Sequence, residues 1–320
     1  MSISNSTIDS LLFNFRKLAS VFSLLLIVLV LSILSPDFLK VDNLLTVGLQ
    51  ISPRAIMAIG QVVIIITAGI DLSVGSVMAL SGVITGLLLA SGINIYLAAF
   101  AGIGVGTFCG FLNGAMVSYG KLPPFIATLG MMGMARGVAL IATGGVPIFD
   151  FPPEFAHLSS ARLGGIIPLP VIITCVLGTL FYLAMVNTSF GRYSYAIGGN
   201  MEATRLSGVN VKWILLIVYA AAGLLYGIAG LIEASRLSTG QPTAGTGYEL
   251  DVIAACVIGG TSLSGGVGTI WGALIGSLVI GFLRNGCNLL DISNFWQQVA
   301  IGAIIVIAVF IDQLQKNRTE

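Results

Sequence analysis

The chain has 320 residues, of which 56% are hydrophobic and 8% are charged, with a net charge of +1. Soluble globular proteins carry roughly 25% charged residues, so this composition excludes a soluble protein of this size. It also excludes a disordered chain, which needs low hydrophobicity and high charge, and a nucleic-acid partner, which needs clustered basic residues. The sequence therefore predicts an integral membrane protein embedded in a lipid bilayer.

The apolar runs are long and unbroken, which is typical of membrane-spanning helices rather than of the alternating strands of a barrel. A spanning helix needs about 20 apolar residues. We predict an all-α integral membrane protein, with residues 1–320 forming a single transmembrane domain, a polytopic bundle of about ten transmembrane helices. The predicted spans are residues 18–35, 48–69, 72–92, 95–118, 123–143, 166–186, 212–232, 248–262, 267–289 and 295–312.

The basic residues predict the orientation of these spans. Residues 1–17 are mostly polar, and the apolar run that follows is longer than a signal-peptide core and lacks a small-residue cleavage site. With ten spans both termini lie on one side, which then holds eight basic residues against three on the other. Because loops rich in Lys and Arg stay in the cytoplasm, we predict cytoplasmic termini, a cytoplasmic tail at 1–17 and a cytoplasmic loop at 187–211.

A short motif occurs twice. Gly69-Ile-Asp-Leu-Ser-Val-Gly75 and Gly260-Thr-Ser-Leu-Ser-Gly-Gly266 share glycine, leucine, serine and glycine at matching positions, and each interrupts an apolar stretch. Repeated broken helices are common in transporters, where they mark the membrane midplane. The pattern predicts a two-fold internal repeat.

Polar residues within apolar runs are candidates for a transport pathway, because polar groups at membrane depth are costly. Asp71 has two interpretations: it caps the N-terminus of the third span, or it fixes a broken helix beside the pathway. The candidates for the substrate pathway are Gln61, Asp71, Asn113 and Thr128.

Three arginines also fall inside predicted spans. Arg54 is expected to extend towards the membrane surface, whereas Arg136 and Arg284 lie deeper and need an internal partner or an aqueous cavity. Intramembrane acids are scarce, which argues against a carrier coupled to protons or sodium.

Glycines spaced four apart line one face of several spans, so that neighbouring helix backbones can approach closely. Such a face is either a tight packing surface or a seam along which helices slide, and the spacing is the same for both. The glycines concerned are Gly102, Gly106, Gly110 and Gly114, then Gly268, Gly272 and Gly276, and the pairs Gly82/Gly86, Gly133/Gly137 and Gly223/Gly227.

The sequence contains few residues that could form a catalytic site. His157 is the single histidine and lies in a proline-rich loop, the four cysteines are far apart, and no phosphate-binding loop is present. We expect no catalytic residues, no metal site and no cofactor, and no ATP hydrolysis by this chain alone.

The stretch from Ser189 to Asn210 is the most polar of the chain. Asn200 is placed to cap a short helix, with Gly198-Gly199 as the turn before it and Gly208 as its end. Glu202 and Arg205 are three residues apart and share a helix face. The segment is either a solvated connector or a docking helix for a cytoplasmic partner.

Several motifs, in order along the chain, resemble a known family. They are Ala68-Gly-Ile-Asp-Leu-Ser-Val-Gly-Ser76, Phe125-Ile-Ala-Thr-Leu129, Gly191-Arg-Tyr, Ala196-Ile-Gly-Gly-Asn200, Ala203-Thr-Arg-Leu-Ser-Gly-Val209, Gln241-Pro-Thr-Ala-Gly-Thr-Gly-Tyr-Glu-Leu250 and Ile258-Gly-Gly-Thr-Ser-Leu-Ser-Gly-Gly266. The chain resembles the sugar permeases of bacterial ABC importers, with the greatest likeness to members that handle ribose.

This resemblance implies a permease subunit that moves a monosaccharide across the bacterial inner membrane, and the likeness to the ribose-handling members indicates D-ribose as that sugar. It implies three partners: a cytoplasmic ABC ATPase subunit, a periplasmic sugar-binding protein and a second permease copy in a homodimer. The alternative that the residues leave open is a self-sufficient secondary carrier or facilitator for a small neutral solute. The resemblance assigns ATPase coupling to Gly198, Gly199, Asn200, Glu202, Ala203, Arg205, Leu206, Ser207 and Gly208.

Overall fold

The computed structural model of the protein describes the backbone of residues 5–316 and the side chains of residues 20–307 and 310. The regular secondary structure of this part of the chain is helical apart from one short hairpin and an isolated bridge between Ile148 and Gly240. The helices are α1 (Asn5–Leu34), α2 (Val41–Ile66), α3 (Val74–Ala90), α4 (Ile95–Ser118), α5 (Pro124–Thr143), α6 (Pro153–Ser160), α7 (Leu169–Asn187), α8 (Ser189–Gly199), α9 (Met201–Leu206), α10 (Val211–Leu237), α11 (Tyr248–Ile258), α12 (Ile270–Leu289) and α13 (Asn294–Lys316). The hairpin pairs β1 (Arg162–Leu163) with β2 (Ile167–Pro168) in antiparallel register.

Each of the ten predicted spans overlaps one of these helices, and α4 has the predicted bounds of 95–118. Within the described residues, six helices are long and apolar enough to cross a membrane, namely α2, α4, α5, α7, α10 and α12. Helices α3 and α11 have 17 and 11 residues, shorter than the about 20 residues of a typical span. The structure therefore supports an all-helical membrane protein with six candidate spans, and the count of ten stays a prediction.

The helix ends differ from the prediction at several places. Helix α1 begins at Asn5, inside the segment predicted as a polar tail, of which residues 1–4 lie outside the described part of the chain. The proline-rich loop that holds His157 contains α6, which begins at Pro153 because proline suits the first helical position. The side chain of Phe155 in α6 is buried, and its carbonyl oxygen accepts a hydrogen bond of 2.8 Å from Ser235 Oγ on α10.

Helices α2 and α10 form the centre of the bundle and are buried over most of their length, with α4 and α3 packed against α10. The glycine ladder of α4 is the reason α10 lies so close. A Cβ atom on Gly110 would come within 2.2 Å of Tyr219 O, and one on Gly223 would come within 2.3 Å of Gly106 O. The predicted close approach of backbones is confirmed for this pair of helices.

Other glycines divide into two groups. Gly272 and Gly276 of α12 also lie against backbone, since a Cβ atom there would come within 2.2 and 1.9 Å of carbonyl oxygens of Gly259 and Ala255. Gly133 and Gly137 of α5 have no described neighbour within 4 Å of such an atom. The prediction of helix packing is therefore wrong for this last pair within the described chain, because the pair lies on an open face of α5.

Large apolar side chains cover the outside of the bundle. Phe22 on α1, Leu180 on α7 and Phe310 on α13 are 67%, 56% and 63% exposed. Exposed apolar surface on this scale marks a contact with lipid or with another protein. It agrees with the composition in placing the bundle in a membrane.

Candidate functional site: the α8–α9 connector and the two interrupted helices

The connector between α7 and α10 holds the predicted docking helix, α9. The side chain of Asn200 caps it, because Asn200 Oδ1 accepts a hydrogen bond of 2.9 Å from the backbone of Ala203. Gly208 follows the helix with a φ of +85°, a conformation that favours glycine. The predicted cap and helix end are both confirmed.

The preceding glycines are not a turn as predicted. Gly198 and Gly199 are the last two residues of α8, and the chain changes direction at Asn200 itself. Gly198 is small for a packing reason, since a Cβ atom on it would come within 1.8 Å of Ile66 O and 2.4 Å of Gly266 N. A Cβ atom on Gly199 has no neighbour within 4 Å among the described atoms.

The surface of α9 is exposed and mixed in character. Arg205 donates hydrogen bonds of 3.0 and 2.5 Å to the two carboxylate oxygens of Glu202. Arg205 thereby lowers the pKa of Glu202, so the ion pair is present at neutral pH and is lost as pH falls through that lowered pKa. Leu206 is 74% exposed beside this pair. Eight of the nine residues assigned to coupling are exposed, and only Gly198 is packed against the bundle. The exposed residues are Gly199, Asn200, Glu202, Ala203, Arg205, Leu206, Ser207 and Gly208.

Helix α8 ends where two helices of the bundle are interrupted. Gly266, in the segment between α11 and α12, donates a backbone hydrogen bond of 2.9 Å to Ile66 O at the end of α2. Gly198 packs between these two segments. The α8–α9 connector is thus in direct contact with the end of α2, just before the first copy of the repeated motif, and with the second copy at Gly266.

The two interruptions end their helices in the same way. Ala68 after α2 and Gly260 after α11 both have positive φ, at +63° and +86°. The residue after each donates to a carbonyl five positions back, Gly69 N to Ile64 O and Thr261 N to Cys256 O, both at 3.0 Å. This is the Schellman arrangement. By this arrangement Ala68 corresponds to Gly260, whereas the motif alignment pairs Gly69 with Gly260, one residue further along. The internal repeat therefore stays a prediction.

The four pathway candidates come together around the first interruption. Asp71 Oδ1 accepts hydrogen bonds of 2.7 and 2.6 Å from Ser73 N and Ser73 Oγ, and Asn113 Nδ2 donates to the same Oγ at 3.0 Å. Thr128 Oγ1 accepts from Leu72 N at 3.1 Å. With the amide of Gln61 turned to satisfy its neighbours, it pairs with the backbone of Asp71 at 3.2 Å.

All four candidate side chains are fully buried. They therefore hold the chain where α2 stops and α3 begins, and they do not line an open cavity in this conformation. The interpretation of Asp71 as the cap of the third span is wrong, because Ser73 is the N-cap of α3 and Asp71 holds Ser73 from two residues before. The interpretation that it fixes a broken helix agrees with this geometry.

The intramembrane arginines all have partners inside the bundle. Arg136 on α5 donates hydrogen bonds of 2.5 and 2.8 Å to Pro242 O and Ala244 O, in the non-helical segment before α11. Arg284 pairs with Asp251 at 2.7 Å, as the need for an internal partner predicts. Arg54 pairs with Asp251 at 3.3 Å instead of extending to the membrane surface as predicted.

Asp251 is the functional candidate that the sequence reasoning missed. Its side chain is 2% exposed and lies between two guanidinium groups. Tyr248 supports the same cluster, since the guanidinium of Arg54 lies 4.1 Å from its ring centre. The available signal was an acidic residue inside a predicted span, the same signal that identified the arginines.

Comparison with known proteins decides the family. A model of the family described as branched-chain amino acid transport system / permease component matches residues 43–309. The chain belongs to this family. It is 45% identical to the ribose import permease protein of Escherichia coli (strain K12) over 298 residues, which is 92% of each chain.

Other relatives handle related compounds according to their names. The chain is 43% identical to the ribose import permease protein of Bacillus subtilis (strain 168) over 93% of each chain. It is 37% identical to the D-allose transport system permease protein of Escherichia coli (strain K12) over 94% of each chain. No solved structure matches the chain.

Proposed function

We propose that this protein is the membrane-spanning permease subunit of an ATP-driven importer that moves D-ribose across the bacterial inner membrane. The observation that carries the proposal is the 45% identity to a ribose import permease along 92% of both chains. Relatives named for allose and xylose, at 37% and 36% identity, are more distant. A separate cytoplasmic ATPase subunit supplies the energy, and a periplasmic binding protein delivers the sugar.

The α8–α9 connector is the proposed contact with the ATPase. Helix α9 exposes the Glu202–Arg205 ion pair beside the apolar side chain of Leu206. Protein interfaces commonly combine an apolar centre with a polar rim, so this surface is suited to contact a partner protein. Gly198 places the same connector against the ends of α2 and of the segment before α12. A movement of α9 driven by ATP would therefore reach both interrupted helices directly.

The proposed membrane arrangement has ten spans forming one domain over residues 1–320, with both termini and the loop at 187–211 in the cytoplasm. The basic residues support this orientation. In this proposal the ten crossings are the six helices of suitable length together with α1, α3, α11 and α13. We further propose a two-fold internal repeat centred on the two interruptions and a homodimer of permease subunits surrounded by lipid.

The decisive test is reconstituted transport. Vesicles containing the permease with its ATPase and binding protein should accumulate labelled ribose when ATP is supplied on the ATPase side. Vesicles containing the permease alone should accumulate none. Ribose uptake by the permease alone and without ATP would show a self-sufficient carrier and would refute the proposal.

The docking role has its own test. Glu202→Lys places a second positive charge beside Arg205 and should abolish copurification of the ATPase while the permease still inserts into the membrane. The matched control is the exchange Glu202→Arg with Arg205→Glu, which keeps an oppositely charged pair on α9 but reverses its direction. Wild-type copurification and uptake by the Glu202→Lys variant would contradict docking at α9.

A further inference from the structure

A second polar region of the bundle lies away from the network of Asp71. A cavity of about 490 Å³ lies between α2, α11, α12 and the start of α13. Small-molecule sites commonly measure about 300–1,000 Å³. The cavity begins where residues 238–247 are non-helical and α11 starts, and such helix interruptions form substrate sites in transporters.

An ion cluster forms one wall of this cavity. Asp251, in the first turn of α11, pairs with Arg284 at 2.7 Å and with Arg54 at 3.3 Å. Tyr248 donates a hydrogen bond of 3.3 Å to Glu233 Oε1 and lies beneath the guanidinium of Arg54. The cluster is therefore held in position from α2, α10 and α12.

The cluster retains unused hydrogen-bonding capacity. Arg284 Nε is buried and has no hydrogen-bond partner among the described residues. Asp251 Oδ2 and Arg54 Nε face each other in the 3.3 Å ion pair and make no hydrogen bond there. Buried polar atoms without partners are costly and are explained by an absent ligand, ion or water. Asp251 is the strongest indicator, because its side chain is 2% exposed and lines the cavity.

The charges in the lining balance. Arg54 and Arg284 are offset by Glu249 and Asp251, so the wall carries no net charge. An amide group both donates and accepts hydrogen bonds, as a sugar hydroxyl does. Five amide side chains also line the cavity: Gln50, Asn288, Asn294, Gln297 and Gln298.

We infer that this cavity is a binding station for a neutral monosaccharide on the transport pathway, with Asp251 and its two arginines as hydrogen-bonding groups. The inference rests on the proposed function and adds the place where the sugar is held. A branched-chain amino acid fits this wall less well, since the aliphatic side chains lining it are those of Leu250 and Ile301. Sugar hydroxyls would supply a hydrogen-bond partner to Arg284 Nε and an additional donor to Asp251 Oδ2.

The test uses the complete importer in vesicles, with labelled ribose and its binding protein on one side and ATP on the other. Gln50→Leu with Gln298→Leu removes two exposed amides that have no described hydrogen bond from their side chains. We expect roughly a tenfold loss of uptake, from two hydrogen bonds to the sugar, with unchanged assembly. Thr179→Leu, an exposed polar position on α7 outside the cavity, is the matched control and should transport normally.

A second variant separates binding from a structural role. Asp251→Asn with Arg284→Gln removes one charge of each sign and keeps the wall neutral. If the pair only stabilises the fold, this variant should unfold at a lower temperature and lose no more uptake than its lower stability explains, which would overturn the inference. We expect near wild-type thermal stability with ribose uptake reduced at least tenfold.

The remaining outcomes are also decisive. Wild-type uptake by both variants would overturn the cavity while leaving the proposed function intact. Absence of ribose uptake by the wild-type importer would overturn both. Efficient competition by leucine, but not by a second pentose, would show that the cavity holds a zwitterion and would refute a sugar site.

Discussion

The packing of α4 against α10 makes a quantitative prediction. Gly110 contacts backbone on the opposite helix, and a methyl group there would come within 2.2 Å of Tyr219 O and 2.9 Å of Gly223 Cα. Both obstructing atoms belong to the backbone of α10, so no side chain can rotate away. To lengthen the distance between the added methyl group and Tyr219 O to an ordinary contact of about 3.4 Å, the two helices must separate by roughly 1 Å. Protein interiors are packed as densely as organic crystals, so this separation is costly.

The magnitude follows from two opposing contributions. Overpacking of this kind costs about 1–3 kcal/mol, and we expect about 3 kcal/mol because the obstruction is rigid. Replacing glycine by alanine inside a helix raises the free energy of unfolding by about 1 kcal/mol, because alanine has the higher helix propensity. Gly110→Ala should therefore lower the free energy of unfolding by about 2 kcal/mol.

Gly104 on the same helix supplies the matched control. It is exposed, and a Cβ atom on it has no described neighbour within 4 Å. Gly104→Ala should retain the helix-propensity gain without strain, so the two variants should differ by about 3 kcal/mol. The measurement is reversible unfolding in mixed detergent micelles. Equal stability of the two alanine variants would refute the close backbone contact between α4 and α10.

Three further predictions concern the interrupted helices and the connector. Gly198→Ala should displace α8 and abolish ATP-driven uptake, whereas Gly199→Ala, one residue away in open space, should leave uptake intact; equal uptake by both would contradict the packing of α8. Asp71→Ala should lower the free energy of unfolding by about 1–3 kcal/mol because it leaves buried donors of Ser73 unpaired, with a smaller loss for Asp71→Asn, and equal unfolding curves would count against this network. Arg136→Gln should release the carbonyls of residues 242 and 244 and speed hydrogen exchange at 241–247 by about tenfold or more, and unchanged exchange would show that this segment is held by other contacts.

The sequence by itself determined the class of protein and most of the helices. Scarce charge and long apolar runs require lipid surroundings, and hydrophobic length is a local property that can be read along the chain. The cap at Asn200 and the end at Gly208 were predictable for the same reason, because capping involves groups within four residues of each other. The glycine spacing of α4 predicted close packing, since helix periodicity alone places those glycines on one face.

Tertiary structure decided what these elements contact. Spacing could not show that Gly110 faces α10 while Gly133 faces open space, because every glycine ladder has the same period. The partners of the arginines were equally hidden: Asp251 and Arg54 are almost 200 residues apart in the chain and are brought together by the crossing of α2 and α11. Long-range pairing of charges depends on the whole arrangement of helices. For that reason the cavity lined by Arg54, Asp251 and Arg284 could be found only in the structure.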